Sequence, residues 1–198
     1  MATKWINVKG TVSWAQVYEP DEYAGDKRWK VTFYPANGEE WETLRKAGVQ
    51  LEAKEDKEGK KYVNLRRSVK RLYGDDVTFF TPPTITGAVS VQYLDKATGK
   101  PVRSYKKGDG TEVEVIGEKV LIGNGSVVMV NIAVYDTQKG KGHRFEAMKV
   151  LDLVSYDPDS KSDAETAVDS PEEELKAEVT VAPVEKKKKE DLNDEIPW

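Results

Sequence analysis

The sequence predicts an all-β fold, a closed β-barrel with one short helix, followed by a disordered acidic C-terminal tail. Several segments of residues 1–157 alternate between apolar and polar side chains, and short turns rich in Gly and Pro separate them. Such alternation is typical of half-buried strands, and many short strands favour a barrel over an α/β sheet. After Asp157 the composition turns polar and charged, so we place the folded domain in residues 1–157 and a disordered tail in residues 158–198.

Three strands are predicted in the first half of the domain. Residues 5–18, 28–34 and 60–73 each place apolar side chains mostly at every second position. The residues between the first two strands, 19–26, contain proline and glycine and are predicted to form a loop.

A short helix is predicted at residues 37–48. Asn37 or Gly38 can cap its N-terminus, glutamates follow where the helix dipole favours acids, and Gly48 can end it.

The second half of the domain is predicted to contain strands at residues 88–94, 127–135 and 145–156. Residues 102–116 are predicted to form a hairpin around a Gly-rich turn at 107–110. The stretch 127–135 is almost wholly apolar, which indicates a central strand.

Four tryptophans lie in the predicted domain. Trp14 and Trp29 fall on the apolar side of their strands, and Trp41 shares a helix face with Leu44, so we assign these three to the core. Trp5 lies on the polar side at the start of a strand, and the pattern leaves its position open.

The composition argues against an enzyme. The chain has no cysteine, which excludes disulfides, thiolate metal sites and cysteine nucleophiles. His143 is the only histidine and lacks the companions that a metal site or a catalytic triad needs, and its place beside a Gly-rich turn predicts an exposed side chain. The turn at residues 123–126 lacks the Lys-Ser or Lys-Thr of a phosphate loop. We therefore expect no catalysis, no metal and no cofactor.

No apolar stretch has the length of a membrane span, and the first residues lack the apolar core of a signal peptide. We expect a soluble cytoplasmic protein without membrane contact, and the absence of cysteine fits a reducing compartment.

The charge is unevenly distributed along the chain. Residues 156–198 carry a net charge of -8, from fourteen acidic residues and six lysines, whereas residues 1–155 carry +4. The domain can therefore attract a polyanion, and the tail can compete with one.

Cationic and aromatic side chains recur on the polar sides of the predicted strands. Single-stranded nucleic acid is bound by cations that contact phosphates and by aromatic rings on which bases stack. Each group alone also fits a solvated barrel surface, but their recurrence favours DNA contact. The predicted DNA-binding residues are Arg28, Lys30 and Tyr34 on the second strand, Tyr62, Arg66 and Lys70 on the third, and Arg103, Tyr105, Lys106 and Lys107 at the hairpin.

The chain ends with acidic residues followed by an apolar tip. Disordered segments are poor in aromatic residues, so a terminal tryptophan after a long segment without one predicts a recognition motif. Its ring would fill an apolar pocket of a partner, and the acids would steer the approach. The predicted partner-binding residues are Asp191, Asp194, Glu195, Ile196, Pro197 and Trp198.

Two parts of the sequence resemble known families. The tip resembles that of bacterial single-stranded DNA-binding proteins, with Trp198 in place of a phenylalanine. The domain resembles single-stranded DNA-binding proteins of tailed phages, an OB-fold family. Two blocks carry this second resemblance: one runs from Gly10-Thr11-Val12-Ser13-Trp14-Ala15 through Trp29-Lys30-Val31, and the other is Ile122-Gly123-Asn124-Gly125-Ser126.

The resemblance implies an OB-fold barrel that binds single-stranded DNA in replication, recombination or repair. It also implies that the tip recruits replication or recombination proteins, in a bacterial host cell if a phage encodes the chain. Whether the chain forms a homo-oligomer stays open.

The alternative is an acidic-tailed protein-interaction or chaperone-like barrel that does not bind DNA. Salt dependence separates the two hypotheses, because binding to single strands weakens with salt by a slope of about -0.7 per neutralised phosphate. Binding of a protein partner need not show this dependence.

Overall fold

The computed structural model describes residues 3–23, 25–49, 51–73, 76–137 and 140–156. These residues form mostly β-structure with one short helix, so the predicted all-β class is confirmed. The predicted tail at 158–198 and its tip lie outside the described residues, and the domain boundary at 157 stays a prediction. No helix in the described part of the chain is long and apolar enough to span a membrane.

The elements follow the chain in this order: β1 (Lys4–Tyr23), β2 (Asp26–Pro35), α1 (Gly38–Ala47), β3 (Lys54–Glu55), β4 (Lys61–Ser68), β5 (Lys70–Tyr73), β6 (Asp76–Phe80), β7 (Thr84–Gly87), β8 (Gln92–Asp95), β9 (Ser104–Lys106), β10 (Val113–Ile116), β11 (Val127–Thr137) and β12 (Gly140–Asp152).

The largest sheet has seven strands in the order β3-β4-β2-β1-β11-β12-β7. The long strand β1 lies at its centre and pairs antiparallel with β2 on one side and with β11 on the other. The short strand β7 runs parallel to β12 at one edge. The inward side chains form one core that includes Val31 and Phe33 of β2. Trp29 of the same strand is also buried, so these three side chains alternate with more exposed neighbours as predicted.

The barrel closes where β4 contacts β12. Arg67 of β4 and Glu146 of β12 form an ion pair at this contact, with side chains only 1% and 2% exposed. The Arg67 guanidinium also donates hydrogen bonds to the carbonyl oxygens of Thr81 (2.7 Å), Phe145 (3.3 Å) and Arg103 (2.8 Å). One buried side chain therefore connects the two closing strands to two neighbouring loops.

Glu146 reaches the interior because β12 contains a bulge. Asn131 of β11 lies opposite Ala147 and the next residue, Ile132, lies opposite Phe145, so Glu146 has no partner on β11. A bulge of this kind redirects a side chain, here toward Arg67.

The helix α1 begins and ends as predicted. The Asn37 side chain accepts a hydrogen bond from the backbone N–H of Glu40 (3.0 Å), and Gly48 ends the helix in the left-handed conformation. Leu44 is buried against the barrel and Trp41 is half-buried beside it, so Trp41 packs on the core as expected.

The predicted loop at residues 19–26 is wrong, because β1 continues to Tyr23 and pairs with the start of β2. The sequence looks irregular here because this ribbon is exposed and its two strands carry opposite charges. Glu22 lies opposite Lys27 at 3.4 Å, and Asp21 forms an ion pair with Lys30. Cross-strand pairs of this type stabilise a ribbon by about 0.2–1 kcal/mol each.

The predicted strand at 60–73 is interrupted at Val69, which separates β4 from β5. The Val69 N–H donates to the carbonyl of Lys27 in β2, and the Val69 carbonyl accepts from the N–H of Phe80 in β6, so this residue connects the barrel sheet to the next sheet. Beyond it, β5 pairs with β6, and β6 pairs with β9 in a separate three-stranded sheet.

The predicted hairpin at 102–116 is also wrong. β9 pairs with β6, and β10 pairs with β8 in a two-stranded sheet. The turn at residues 107–110 exists, but β9 and β10 on its two sides do not pair with each other. Turn residues predict a reversal of the chain and do not determine which strand becomes the neighbour.

Candidate nucleic-acid interface

Three adjoining depressions on the barrel surface share Arg66 in their lining, and we call them together the Arg66 groove. The first is also lined by Trp14, Gln16, Lys30, Thr32 and Asn64. The second is also lined by Leu51, Glu52, Lys54, Asn64 and His143. The third is also lined by Ser68, Lys70, Arg71, Phe80, Tyr135, His143 and Arg144.

The first depression lies on the outer face of β1, β2 and β4. Pairing of β2 with β4 places Lys30 opposite Arg66 and Thr32 opposite Asn64, and the hydroxyl of Thr32 donates to the Asn64 side-chain oxygen at 3.2 Å. Because alternate residues of a strand share a face, these polar side chains all point away from the core.

The third depression lies where β12, β4 and the three-stranded sheet meet. The Arg144 guanidinium lies over the Phe80 ring at 4.7 Å, and its Nε donates to the carboxylate of Glu146. Tyr135 lies against Gly142, where an added Cβ would be only 2.7 Å from its ring. Glycine at position 142 therefore leaves room for an aromatic ring at the wall of the groove.

The lining of the Arg66 groove is strongly cationic. It contains six Lys or Arg side chains and one carboxylate, Glu52. Lys30 and Arg144 form ion pairs with Asp21 and Glu146. The other four cations form no ion pair with a carboxylate in the described parts of the chain, and they are Lys54, Arg66, Lys70 and Arg71.

Trp14 lies in this groove, and its assignment to the core is wrong. The side chain is 73% exposed, and the residue has a positive φ of 53°. The pairing of β1 with β2 shifts between Ser13 and Gln16, so Trp14 lies in a bulge. A left-handed backbone costs a residue with a Cβ about 1–2 kcal/mol. The backbone N–H of Trp14 donates to the Asn124 side-chain oxygen at 2.9 Å, which helps to hold this conformation.

His143 is half-buried between the second and third depressions, so its predicted exposure is wrong. The reason is that β12 begins at Gly140, so His143 lies within this strand and is paired with Val134 of β11. Desolvation by this burial lowers the pKa of His143 below its ordinary value.

Lowering the pH from 7.5 to 5.5 is expected to reduce the free energy of unfolding. The folded-state pKa of His143 lies below that of the unfolded chain, so below about pH 6.5 the unfolded chain binds more protons and gains stability relative to the fold. Urea denaturation at a series of pH values measures the effect. His143→Gln removes the only histidine, and an equal loss of stability in this variant would contradict the assignment.

Three of the predicted DNA-binding residues line the Arg66 groove: Lys30, Arg66 and Lys70. Lys70 does so from β5 rather than from the same strand as Arg66. Arg28 lies opposite Ser68 and its guanidinium is 3.9 Å from Asp26.

Tyr34 and Tyr62 are neighbours on the same outer face, outside the lining of the groove. Their ring centroids are 5.6 Å apart, and the Lys60 ammonium lies over the Tyr34 ring at 4.7 Å. The pKa of Tyr34 is raised, first by desolvation and then by the nearby Asp56. The pair could extend a binding surface along β2 and β4.

The residues of the predicted hairpin do not line the groove. The Arg103 guanidinium lies over the ring of Trp5 at 4.8 Å, where the Trp5 side chain is 44% exposed. Tyr105 stacks on Phe79 at 5.7 Å, and Lys106 forms an ion pair with Asp76 at 3.0 Å. Lys107 lies in the exposed turn that follows.

The sequence contained a signal for Trp14 that the strand assignment overlooked. Apolar side chains fall on even numbers from Ile6 to Val12 and on odd numbers at Ala15 and Val17. A change of parity within one strand indicates a bulge, and Trp14 lies between the two phases. Lys54, Arg71 and Phe80 lie on β3, β5 and β6, whose pairing the local pattern did not predict. Arg144 lies on β12 and joins the groove only when the barrel closes.

Comparisons with known proteins give a distant structural likeness. No protein-family model and no curated protein matches the sequence. The fold is similar to the crystal structure of gp2.5, a single-stranded DNA-binding protein encoded by bacteriophage T7, with a TM-score of 0.44 and 13% sequence identity over 86% of this chain and 98% of that chain. At this level of similarity, function must be argued from the residues of the groove.

Proposed function

We propose that this chain is a non-enzymatic protein that binds single-stranded DNA without sequence specificity in the Arg66 groove. The observation that carries the proposal is the lining of that groove, where six cations lie beside Trp14, Phe80 and Tyr135. Cations that contact phosphates and rings that stack on bases are what sequence-tolerant binding to single strands requires.

The chemistry of the groove fits an extended polyanion better than a small molecule. The three depressions adjoin one another, since the first two also share Asn64 and the last two also share His143. Four of the cations have no carboxylate partner among the described residues. A phosphate placed there would be neutralised directly, and counterions would be released. No cluster of acidic or histidine side chains in the described residues could hold a metal ion.

Fluorescence titration of the full chain with a dT oligonucleotide and with a duplex of equal length tests this function. Tight binding to the single strand, weak binding to the duplex and a steep loss of affinity with salt are expected, with a slope of about -0.7 per phosphate contacted. Binding that is absent, or that is insensitive to salt, would reject the proposal and favour a protein-binding barrel.

The acidic tail is proposed to act in two ways. Its tip, ending in Trp198, would recruit replication or recombination proteins, and its net charge of -8 would compete with DNA for a domain of charge +4. Both roles rest on the sequence, because the tail lies outside the described residues.

Deleting residues 158–198 is expected to tighten binding to single-stranded DNA, most clearly at low salt where exposed charges are least screened. Deleting only Trp198 keeps every acidic side chain, so this variant should bind DNA like the full chain and lose its protein partner. Affinities of the three proteins at two salt concentrations make the comparison. Equal affinities of the full and truncated chains at low salt would reject competition between the tail and DNA, and recruitment of proteins would be the only proposed role of the tail.

A further inference from the structure

Trp14 combines two features that folding alone does not favour. Its backbone is left-handed, which residues other than glycine rarely adopt, and its large ring is mostly exposed to solvent. An inward ring would add to the core, and a glycine would relieve the strained backbone. Strained residues of this kind cluster at functional sites, where the surrounding structure holds them in place.

The turn at residues 123–126 holds Trp14 in this position. The Asn124 side-chain oxygen accepts the Trp14 N–H at 2.9 Å, the Gly125 N–H donates to the carbonyl of Val12 at 2.8 Å, and the Val12 N–H donates to the carbonyl of Ser126 at 3.1 Å. Trp14 and Val12, on the two sides of Ser13, are therefore both held by this one turn.

The turn itself is anchored in the interior. Ser126 is fully buried, and its hydroxyl donates to the carbonyl of Gly123 at 2.8 Å and accepts the N–H of Val154 at 3.0 Å. A rigid support under a strained, exposed ring is what a preorganised contact to a ligand requires.

The neighbours of Trp14 indicate which ligand its ring would contact. Lys30, Arg66, Gln16 and Asn64 line the same depression. The two cations disfavour a cationic ligand on the ring and favour a group that carries phosphate. An aromatic ring beside phosphate-binding cations fits a nucleotide whose base is free to stack.

We infer that Trp14 is a stacking platform for one unpaired base and that Asn124 is the positioning residue that holds it. This inference rests on the proposed function and deepens it, because it separates a base contact from the phosphate contacts of Arg66. Bases paired in a duplex cannot stack on a side chain in this way, so Trp14 contributes to the preference for single strands.

The test measures the affinity of the full chain for a dT oligonucleotide and for an abasic oligonucleotide of equal length. Their ratio reports contacts to bases and cancels contacts to phosphates. Trp14→Ala is expected to lower this ratio by about 5- to 150-fold, the range that loss of one stacked base produces. Trp14→Phe should retain most of the ratio, and Trp14→Leu should not, since leucine has no ring.

Asn124→Ala is expected to lower the same ratio in the wild-type background and to have no further effect on it in Trp14→Ala. Asn124→Asp keeps an oxygen acceptor for the Trp14 N–H and should restore the ratio, while its charge weakens binding to both oligonucleotides equally. A residue that only stabilises the fold would change both affinities together, and thermal unfolding of each variant monitors that contribution.

Trp5→Ala is the matched control, because Trp5 is also an exposed tryptophan of β1 but lies outside the groove. It should leave the ratio unchanged. An unchanged ratio in Trp14→Ala overturns the stacking platform, and an unchanged ratio in Asn124→Ala overturns the role of Asn124. A full chain that binds neither oligonucleotide overturns the proposed function itself.

Discussion

Replacing Arg67 by methionine is expected to lower the free energy of unfolding by about 3–5 kcal/mol, the usual effect of removing one partner of a buried ion pair. Burial lowers the pKa of the Arg67 guanidinium, and Glu146 opposes this effect. Without Arg67, the Glu146 carboxylate stays in the interior with only Arg144 as partner. Chemical denaturation followed by circular dichroism measures the change.

The double variant Arg67→Met with Glu146→Leu is expected to recover part of this stability. It removes the uncompensated charge, but the carbonyl oxygens of Thr81, Phe145 and Arg103 lose the hydrogen bonds from Arg67. Lys46→Met is the matched control, since Lys46 forms an exposed ion pair with Glu42 on α1, worth about 0.3–0.5 kcal/mol. If Arg67→Met were no less stable than this control, barrel closure would not depend on the buried pair.

Replacing Arg66 by alanine is expected to weaken binding to single-stranded DNA by about 1.5–3 kcal/mol, the range for hydrogen bonds to charged groups. Arg66 borders all three depressions of the groove and has no carboxylate partner in the described residues. The effect should be similar for all oligonucleotide sequences, because phosphate contacts carry no base information. The salt slope should become less steep by about 0.7 for each phosphate that the variant no longer neutralises.

Arg45→Ala provides the control for Arg66, because Arg45 is an exposed arginine on α1 that lies outside the groove. It should change neither the affinity nor the salt slope. Equal affinities of Arg66→Ala and wild type, with both proteins folded, would place the DNA on another surface. The pair Tyr34 and Tyr62 would then be the next candidate.

Local patterns predicted the elements whose partners are close in sequence. The alternation of β2 and the caps of α1 at Asn37 and Gly48 depend on nearby residues, and both were predicted correctly. Arg67 shows where this reasoning ends. It lies on the inward side of β4 with Val63 and Leu65. A charged side chain can be assigned to the core only when its ionic partner is known, and here the partner, Glu146, is 79 residues away in the sequence.

The candidate site was predicted in part for the same reason. Lys30 and Arg66 could be recognised because they lie on the polar sides of strands, and pairing of β2 with β4 brings them together. Arg144 belongs to a strand that joins the site only when the barrel closes. Trp14 was misplaced because its ring is apolar, although the bulge that exposes it leaves a trace in the sequence as a change from even to odd apolar positions.

The long separation between paired strands also bears on how the chain folds as it is synthesised. β1 is made first, yet it needs β11, and contacts such as Asn7 with Asn131 span 124 residues. At a synthesis rate of roughly 5–20 residues per second, β11 is completed on the order of 10 s after β1. During that interval its free edge is a template for pairing with other chains, which the exposed charges along it discourage. A fragment that ends before β12 lacks Glu146 and the closing strand, so we expect unfinished chains to depend on chaperones.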